Sequence, residues 1–287
     1  MTDPFRLACV QLNAGNDMKG NIAIATELIR DAVREGADFV ALPECSVMME
    51  VGRKNVLDRA LPEDNHPALE TFQEVAAALG VWLLPGTLTI RLRDERVANR
   101  GYLIDPEGEI RARYDKIHMF DVDLEGGESY RESATYRAGA SACVAETPWG
   151  LMGFTVCYDV RFPHLYRQLA QAGAIFMAVP SAFTQPTGRA HWHVLLRARA
   201  IETGSYIFAP AQCGEHPRGR RTYGHSLIVD PWGEVLADGG EAPGVIVAEI
   251  DPARVASVRR SLPSLTHDRP YAAPSVPQPR HLRAAGD

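Results

Sequence analysis

The chain has 287 residues, 46% of them hydrophobic, so it can bury a large core, and one principal domain is the simplest expectation. Its formal net charge of −6 comes from acidic and basic residues mixed along the sequence, which argues against a nucleic-acid partner. The apolar runs are too short for a membrane span and the opening MTDPFRLACVQ lacks a signal-peptide pattern, so we expect a soluble, cytoplasmic protein.

Strand and helix patterns alternate through the first half of the chain. Apolar runs at RLACVQLNA and DFVALPE predict buried strands, and apolar residues at helical spacing predict a helix between them over 18–36. A second helix over 67–80 leads into a strand at VWLLPGTLTI. The stretch VANRGYLIDPEGEIRARYDK then alternates as a pair of strands around a turn at 105–108.

The second half of the chain continues the alternation. It opens with the hairpin SACVAETPWGLMGFTVC, followed by a helix over 163–173, the strand AIFMAVP, a helix over 189–203 and the strand SYIFAPAQ. A third hairpin at VDPWGEVL and the strand GVIVAEI come last. Strands outnumber helices but βα units recur, which predicts an α/β fold with stacked sheets flanked by helices.

The composition changes near the C-terminus. From about Leu262 the residues are mostly Pro, Ser, Arg and Ala, a composition that buries little apolar surface. We therefore expect one domain over 1–262 and a C-terminal arm over 263–287 that is partly disordered.

Neither a disulfide scaffold nor a metal site is predicted. Five cysteines stand at irregular spacings without a C-x-x-C pair, at positions 9, 45, 143, 157 and 213, so at least one thiol is free. His191 and His193, in HWH, lie two residues apart on a predicted helix and point to different faces. We therefore expect no metal and no cofactor.

Three reactive side chains stand where predicted apolar strands end. They are Glu44 in ALPE, Lys116 in RYDKIH and Cys157 in TVCYD. A rigid sheet fixes the position of such a residue while the loop beyond leaves room for a substrate. We expect the three strand ends to converge on one cleft.

The three residue types together indicate an acyl-transferring hydrolase. Glu44 could take the proton of the Cys157 thiol, and Lys116, with the backbone N–H after the cysteine, could stabilise the oxyanion formed by attack on an amide. A carboxylate beside a lysine is ordinarily too acidic to act as a base. Either the cleft raises the pKa of Glu44 or the proton is shared with the thiol, and the sequence leaves both open.

The same segments resemble a known family. LPE with Glu44, YDKIHMFDVD with Lys116 and CYDVRFP with Cys157 resemble the signature segments of the nitrilase superfamily, the carbon-nitrogen hydrolases, and the likeness runs from LACVQLNA to SLPSLTHDRP. The resemblance implies a four-layer α-β-β-α sandwich that dimerises, or forms a higher homo-oligomer, through its helices. It also implies hydrolysis of carbon–nitrogen bonds by a glutamate base, a lysine and a cysteine nucleophile through a thioester.

The resemblance extends to further site residues and to a substrate class. Glu132, in YRESATYRAG, matches a second glutamate of the family's active site. TGRAHWHVLLRARAIETGSYIFAPAQCGEH and YGHSLIVDPWGEV resemble the amidases that act on deaminated glutathione and, less closely, those that act on 2-oxo ω-amides. The implied substrate is a small amide that bears a carboxylate. Tyr158, Arg161, Phe183 and Thr187 are expected to bind it, with Arg161 clamping the carboxylate.

Three alternatives stay open at this point. The chain could be a papain-like enzyme whose base is His164, His191 or His225. It could be a catalytically silent scaffold with this fold. It could also have another activity of the same superfamily, as an N-carbamoyl amidase or a nitrilase.

Overall fold

Six α-helices form in the part of the chain that the computed structural model describes, residues 3–124 and 127–274. They are α1 (Met18–Arg34), α2 (Arg53–Arg59), α3 (Pro67–Leu79), α4 (Pro163–Gln171), α5 (Gln185–Thr203) and α6 (Pro252–Ser261). The four predicted helices are confirmed. Helix α5 begins four residues earlier than predicted because Pro186 stands in its first turn, where a missing N–H costs no hydrogen bond.

Seventeen strands lie in the same described residues. They are β1 (Phe5–Gln11), β2 (Phe39–Ala41), β3 (Trp82–Leu84), β4 (Thr87–Arg91), β5 (Val97–Ile104), β6 (Ile110–Asp115), β7 (Asp121–Asp123), β8 (Ser129–Arg131), β9 (Val144–Thr147), β10 (Gly150–Phe154), β11 (Phe176–Ala178), β12 (Tyr206–Ala209), β13 (Cys213–Glu215), β14 (Arg221–Tyr223), β15 (Leu227–Val229), β16 (Val235–Asp238) and β17 (Gly244–Ile250). The predicted strands and the three hairpins are confirmed, except that VWLLPGTLTI is two strands, β3 and β4, separated at Pro85 and Gly86.

Two sheets contain most of these strands. The first has the order β17-β1-β2-β3-β5-β4, with β6 paired to β5, and the second has the order β16-β15-β12-β11-β10-β9. Strands β1, β2 and β3 run parallel, as do β10, β11 and β12. The remaining strands form two small hairpins, β7 with β8 and β13 with β14.

Alternate residues of strand β1 belong to different layers. In β1, Leu7 and Cys9 face the second sheet and share a core with Phe154 of β10, whereas Ala8 and Val10 pack with helices α1 and α3. Helices α4 and α5 cover the outer face of the second sheet. This is the predicted four-layer α-β-β-α sandwich, and it places the ends of β2, β6 and β10 near the gap between the sheets.

Part of the predicted C-terminal arm lies in the described residues. Arg167 and Gln171 of α4 donate hydrogen bonds to the carboxylate of Asp268, at 2.5 and 2.8 Å. The rest of the arm, over 275–287, lies outside the described residues. In the described ranges, no helix is both long enough and apolar enough to span a membrane.

Candidate active site

Glu44 follows strand β2 in a loop that is fixed from several sides. Its backbone carbonyl accepts a hydrogen bond from Gln212 Nε2 at 3.1 Å, and its Oε2 accepts one from the backbone N–H of Ala182 at 3.0 Å. Gly86, with φ of +70°, packs so closely that a Cβ there would lie 1.8 Å from the Pro43 carbonyl oxygen. Only glycine permits this approach, so the loop beside it holds the carboxylate of Glu44 in one place.

Lys116 connects two carboxylates. Its Nζ donates to Glu44 Oε1 at 2.9 Å and to the two carboxylate oxygens of Glu132 at 3.0 and 2.9 Å. The lysine is only 2% exposed, so these contacts are made away from bulk water. Asn99, from β5, adds a hydrogen bond of 2.8 Å from Nδ2 to Glu44 Oε1. The predicted grouping of Glu44, Lys116 and Glu132 is therefore present as one hydrogen-bonded cluster.

Cys157 stands at the turn between strand β10 and a short 3₁₀ helix over Cys157–Arg161. Its φ of +49° lies in the left-handed region, which is uncommon for a residue other than glycine. The buried carboxylate of Asp159 stabilises the turn, because its Oδ2 accepts from the backbone N–H of Val156 at 2.8 Å and from the Tyr114 hydroxyl at 2.7 Å. The chain thus leaves the strand abruptly and presents the thiol beside Glu44.

The charges of the cluster favour a neutral thiol and an ionised carboxylate at rest. Burial, together with the charge of Glu44, raises the pKa of the Cys157 thiol. Burial alone would raise the pKa of Glu44, but the Lys116 charge and hydrogen bonds from Cys157 and Lys116 lower it below its usual range. Burial would lower the pKa of Lys116, whereas the charges of Glu132 and Glu44 hold it well above its usual value. The cleft therefore does not raise the pKa of Glu44. Its carboxylate instead accepts a hydrogen bond from the protonated Cys157 thiol.

A cavity of about 320 Å³ opens onto this cluster. Seven residues predicted for the site line it: Glu44, Lys116, Glu132, Cys157, Tyr158, Phe183 and Thr187. The eighth, Arg161, is not among the lining residues. Its Nη1 and Nη2 lie 3.3 Å from Nδ1 of His191, and its guanidinium carbon lies 5.4 Å from the centre of the Phe183 ring.

Several lining residues were missed in the sequence. Asn99, in the middle of β5, and Tyr130, on the β7–β8 hairpin, also face the cavity. Arg220 lines it from the β13–β14 hairpin, within the charged run HPRGRRTYG. Tyr130 opens the segment YRESATYRAG, but the resemblance there pointed only to Glu132. Asn99 and Arg220 stand neither in a signature segment nor at an apolar strand end, so the sequence pattern gave no signal for them.

The histidines considered for a papain-like mechanism lie elsewhere. Among the described residues, none of His164, His191 and His225 lines the cavity. His191 contacts Arg161, and Nδ1 of His225 lies 2.8 Å from Asp238 Oδ1. Of the histidines in the described ranges, none lines the cavity beside the Cys157 thiol, which argues against that alternative.

His193 joins a small cluster that sequence spacing did not reveal. Its Nε2 lies 3.0 Å from Asp238 Oδ2, and the other oxygen of the same carboxylate bonds His225. Ligand atoms of the three side chains lie within 4.8 Å of one another, a separation that a metal ion could bridge after a small movement. The hydrogen bonds to Asp238 already account for the arrangement, and none of the three lines the cavity. His191 and His193 do point to different partners, as their spacing predicts.

Three comparisons connect this site to known proteins. The carbon-nitrogen hydrolase family model matches residues 6–260. A deaminated glutathione amidase from Synechocystis is 43% identical over 269 residues, covering 92% of this chain and 98% of that protein.

Two solved structures share the fold. Saccharomyces cerevisiae Nit3, described as a member of branch 10 of the nitrilase superfamily, is 28% identical with a TM-score of 0.82, over 91% of this chain and 94% of that one. A variant of an amidase from Nesterenkonia sp. AN1 is 25% identical with a TM-score of 0.77, over 90% of this chain and 98% of that one. In the latter structure acrylamide has added to the active-site cysteine.

Proposed function

Because the chain belongs to the carbon-nitrogen hydrolase family, and to its amidases, we propose that it hydrolyses the amide bond of small carboxylate-bearing amides through a thioester on Cys157. One observation carries the proposal. Lys116 Nζ bonds both Glu44 and Glu132, and Glu44 in turn accepts a hydrogen bond from the Cys157 thiol. Glu44 thus contacts both the nucleophile and a cation, and all three groups line one cavity.

In the first half of the proposed reaction the thiol becomes an acyl carrier. Glu44 takes the proton from Cys157 as the sulfur attacks the amide carbonyl carbon, so charge moves to the carbonyl oxygen. The ammonium of Lys116 and the backbone N–H of Tyr158 stabilise that oxyanion. As the C–N bond breaks, Glu44 returns the proton to the departing amine. A thioester remains.

The second half reverses the proton transfers with water as the nucleophile. Glu44 removes a proton from water, which attacks the thioester carbonyl, and the oxyanion is stabilised by the same donors. Collapse of this intermediate forms the carboxylic acid product and breaks the C–S bond, and the proton on Glu44 returns to the sulfur. Glu132 does not exchange protons in this scheme. Its two contacts hold the Lys116 ammonium between Glu44 and the reacting carbonyl.

The proposed substrate class follows from the relatives and from the cavity. The Synechocystis relative is a deaminated glutathione amidase, and a 2-oxo acid with a γ-amide is the kind of small, charged amide that a cavity of about 320 Å³ can hold. Phe183 offers an aromatic surface to the apolar middle of such a molecule, and Thr187 offers a hydroxyl. No particular feature of the site favours a nitrile or an N-carbamoyl substrate over an amide.

A direct test is mass spectrometry of the intact protein after brief incubation with 2-oxoglutaramate, a nitrile of the same length and an N-carbamoyl amino acid. We expect an acyl adduct on Cys157 with the 2-oxo-γ-amide, because formation of the thioester precedes its hydrolysis. A silent scaffold would form no adduct with any of the three. An adduct formed only with the nitrile would indicate a nitrilase, and one formed only with the carbamoyl compound would indicate an N-carbamoyl amidase.

A homodimer is part of the same proposal. Helix α5 exposes Val194 and Ile201, which are 68% and 45% accessible, and Trp232 in a neighbouring turn is 57% accessible. Apolar side chains exposed together on one helical face are typical of a surface that another protein covers. We expect light scattering to give twice the chain mass, and Val194→Glu to lower it, because a buried unpaired charge would oppose association. A monomeric parent protein would contradict this.

Cytoplasmic location is proposed on the state of the thiols. All five cysteines are free, and a nucleophilic thiol must stay reduced to act.

A further inference from the structure

We propose that Arg220, rather than Arg161, binds the carboxylate of the substrate. The proposal deepens the proposed function and rests on it, since it assigns the anion-binding part of the same cavity. Arg220 immediately precedes strand β14 and lines the cavity from the β13–β14 hairpin. Arg161 does not line it.

The hairpin that carries Arg220 is attached to the segment that carries other cavity residues. The backbone N–H of Tyr223 donates to the carbonyl of Phe183 at 3.0 Å, and Arg220 Nη2 donates to the carbonyl of Ala182 at 3.0 Å. On its other side the guanidinium carbon lies 5.6 Å from the centre of the Tyr130 ring. The guanidinium is therefore positioned before a ligand arrives, which lowers the entropy lost on binding.

Part of the guanidinium is buried without a partner. Arg220 Nε has no hydrogen-bond acceptor among the described residues, although it is shielded from solvent. A buried donor without an acceptor costs free energy unless something else satisfies it. The edge of a guanidinium formed by Nε and one Nη is a fork that matches the two oxygens of a carboxylate.

The two neighbouring arginines have carboxylate partners, whereas Arg220 has none in the described part of the chain. Arg218 pairs at 3.4 Å with Glu50, a cavity residue whose side chain is 2% exposed, and Arg221 pairs at 3.3 Å with the exposed Glu215. Within the described ranges, Arg220 has no carboxylate within 4.0 Å. Of three arginines close together in the sequence, the one that faces the cavity is the one whose charge is not paired.

The net charge of the catalytic cluster explains why an anionic substrate needs the positive charge of Arg220. Glu44 and Glu132 share the single ammonium of Lys116, so with a neutral thiol the cluster has one net negative charge and would repel an anionic substrate. The Arg220 guanidinium, on the wall of the same cavity, offsets that repulsion. A neutral amide needs no such compensation.

The roles of the two arginines can be separated with matched variants, Arg220→Met and Arg161→Met, and a probe that is not hydrolysed. Glutarate carries carboxylates but no amide, and Cys157 can be labelled with neutral iodoacetamide and quantified by site-resolved mass spectrometry. We expect glutarate to slow labelling of the parent protein. The concentration for half-protection should rise at least about tenfold in Arg220→Met, because a charge-assisted contact is lost, and less than about twofold in Arg161→Met.

Kinetics give a second readout. KM for 2-oxoglutaramate should rise at least about tenfold in Arg220→Met, with KM for a neutral aliphatic amide changing less than about twofold. Arg220→Lys should recover part of the loss, since the charge is kept and the fork is not.

Other results would overturn the assignment. If glutarate did not slow the labelling of Cys157 in the parent protein, the proposed carboxylate subsite would be rejected. A larger effect of Arg161→Met would return the role to Arg161, and equal losses for charged and neutral amides would leave Arg220 with only a structural role in the hairpin. Arg220-dependent protection in a protein that forms no acyl adduct with 2-oxo-γ-amides would support the anion site and reject the proposed reaction, so the two failures are distinguishable.

Discussion

Replacing Cys157 with alanine should abolish amide hydrolysis, by at least about 10⁴-fold, and leave the protein folded. The substitution removes the nucleophile but deletes only one sulfur atom from a turn that the Asp159 carboxylate fixes independently. Initial rates with a 2-oxo-γ-amide, together with a thermal melt, measure the two effects. Turnover comparable to that of the parent would end the thioester mechanism.

Cys45→Ala is the matched control for that variant. Cys45 lines the same cavity and also has a positive φ, of +54° against +49° for Cys157. Burial raises the pKa of its thiol to about 12, and it is Cys157 that hydrogen bonds the Glu44 carboxylate. We expect Cys45→Ala to keep most of the activity. A loss in both variants would point to strain in the cavity wall and away from nucleophilic catalysis.

Cys157→Ser should not restore activity. A serine hydroxyl is much less acidic than a thiol, and the Lys116 charge that lowers the pKa of Glu44 also makes this carboxylate a weak base. A weak carboxylate base therefore cannot readily remove the proton of a serine hydroxyl.

The sequence predicts the proposed catalytic residues Glu44, Lys116 and Cys157 because each of them follows a strand. Glu44 and Cys157 stand just past apolar runs, and Lys116 follows the alternating strand β6. Both patterns can be recognised in the sequence. The layers are predictable for the same reason, since βα units and hairpins alternate along the chain. Helix α6 was missed because it is mostly polar and buries only Val255 and Val258.

The wall of the cavity is less predictable because it depends on loop geometry. Arg218, Arg220 and Arg221 have the same chemistry in the sequence, and only the path of the β13–β14 hairpin separates the inward side chain from the paired ones. Arg161, four residues after the nucleophile, instead turns toward His191 on α5. The spacing of the arginines in the sequence therefore does not show which of their side chains faces the cavity.

Lys116→Met should inactivate the enzyme and destabilise it at neutral pH. The change deletes the cation that lies within 3.0 Å of Glu44 and Glu132, so the buried carboxylate of Glu44 and the partly buried carboxylate of Glu132 lose their ion-pair partner. Breaking a buried ion pair in this way costs about 3–5 kcal/mol of unfolding free energy. Loss of an oxyanion donor alone should lower kcat by about 10²–10³. Urea unfolding and single-turnover rates measure the two effects separately.

The pH dependence of that loss distinguishes an electrostatic cause from a packing defect. In the parent protein the pKa of Glu44 is lowered, so its contribution to stability is present above the ordinary glutamate pKa of about 4.3 and is lost only as pH falls below it. Without Lys116 the buried Glu44 carboxylate should have a raised pKa, and its penalty should grow as pH rises through that value.

Lowering the pH from about 8 to about 5 should therefore stabilise Lys116→Met while the parent changes little. Arg131→Met is the control, because Arg131 lines the same cavity but is 53% exposed and pairs with an exposed Asp123, so its loss should change stability little at either pH. A Lys116 variant equally destabilised at both pH values would mean that the methionine fits poorly. The stability that Lys116 contributes would then come from packing and not from its ion pairs with Glu44 and Glu132.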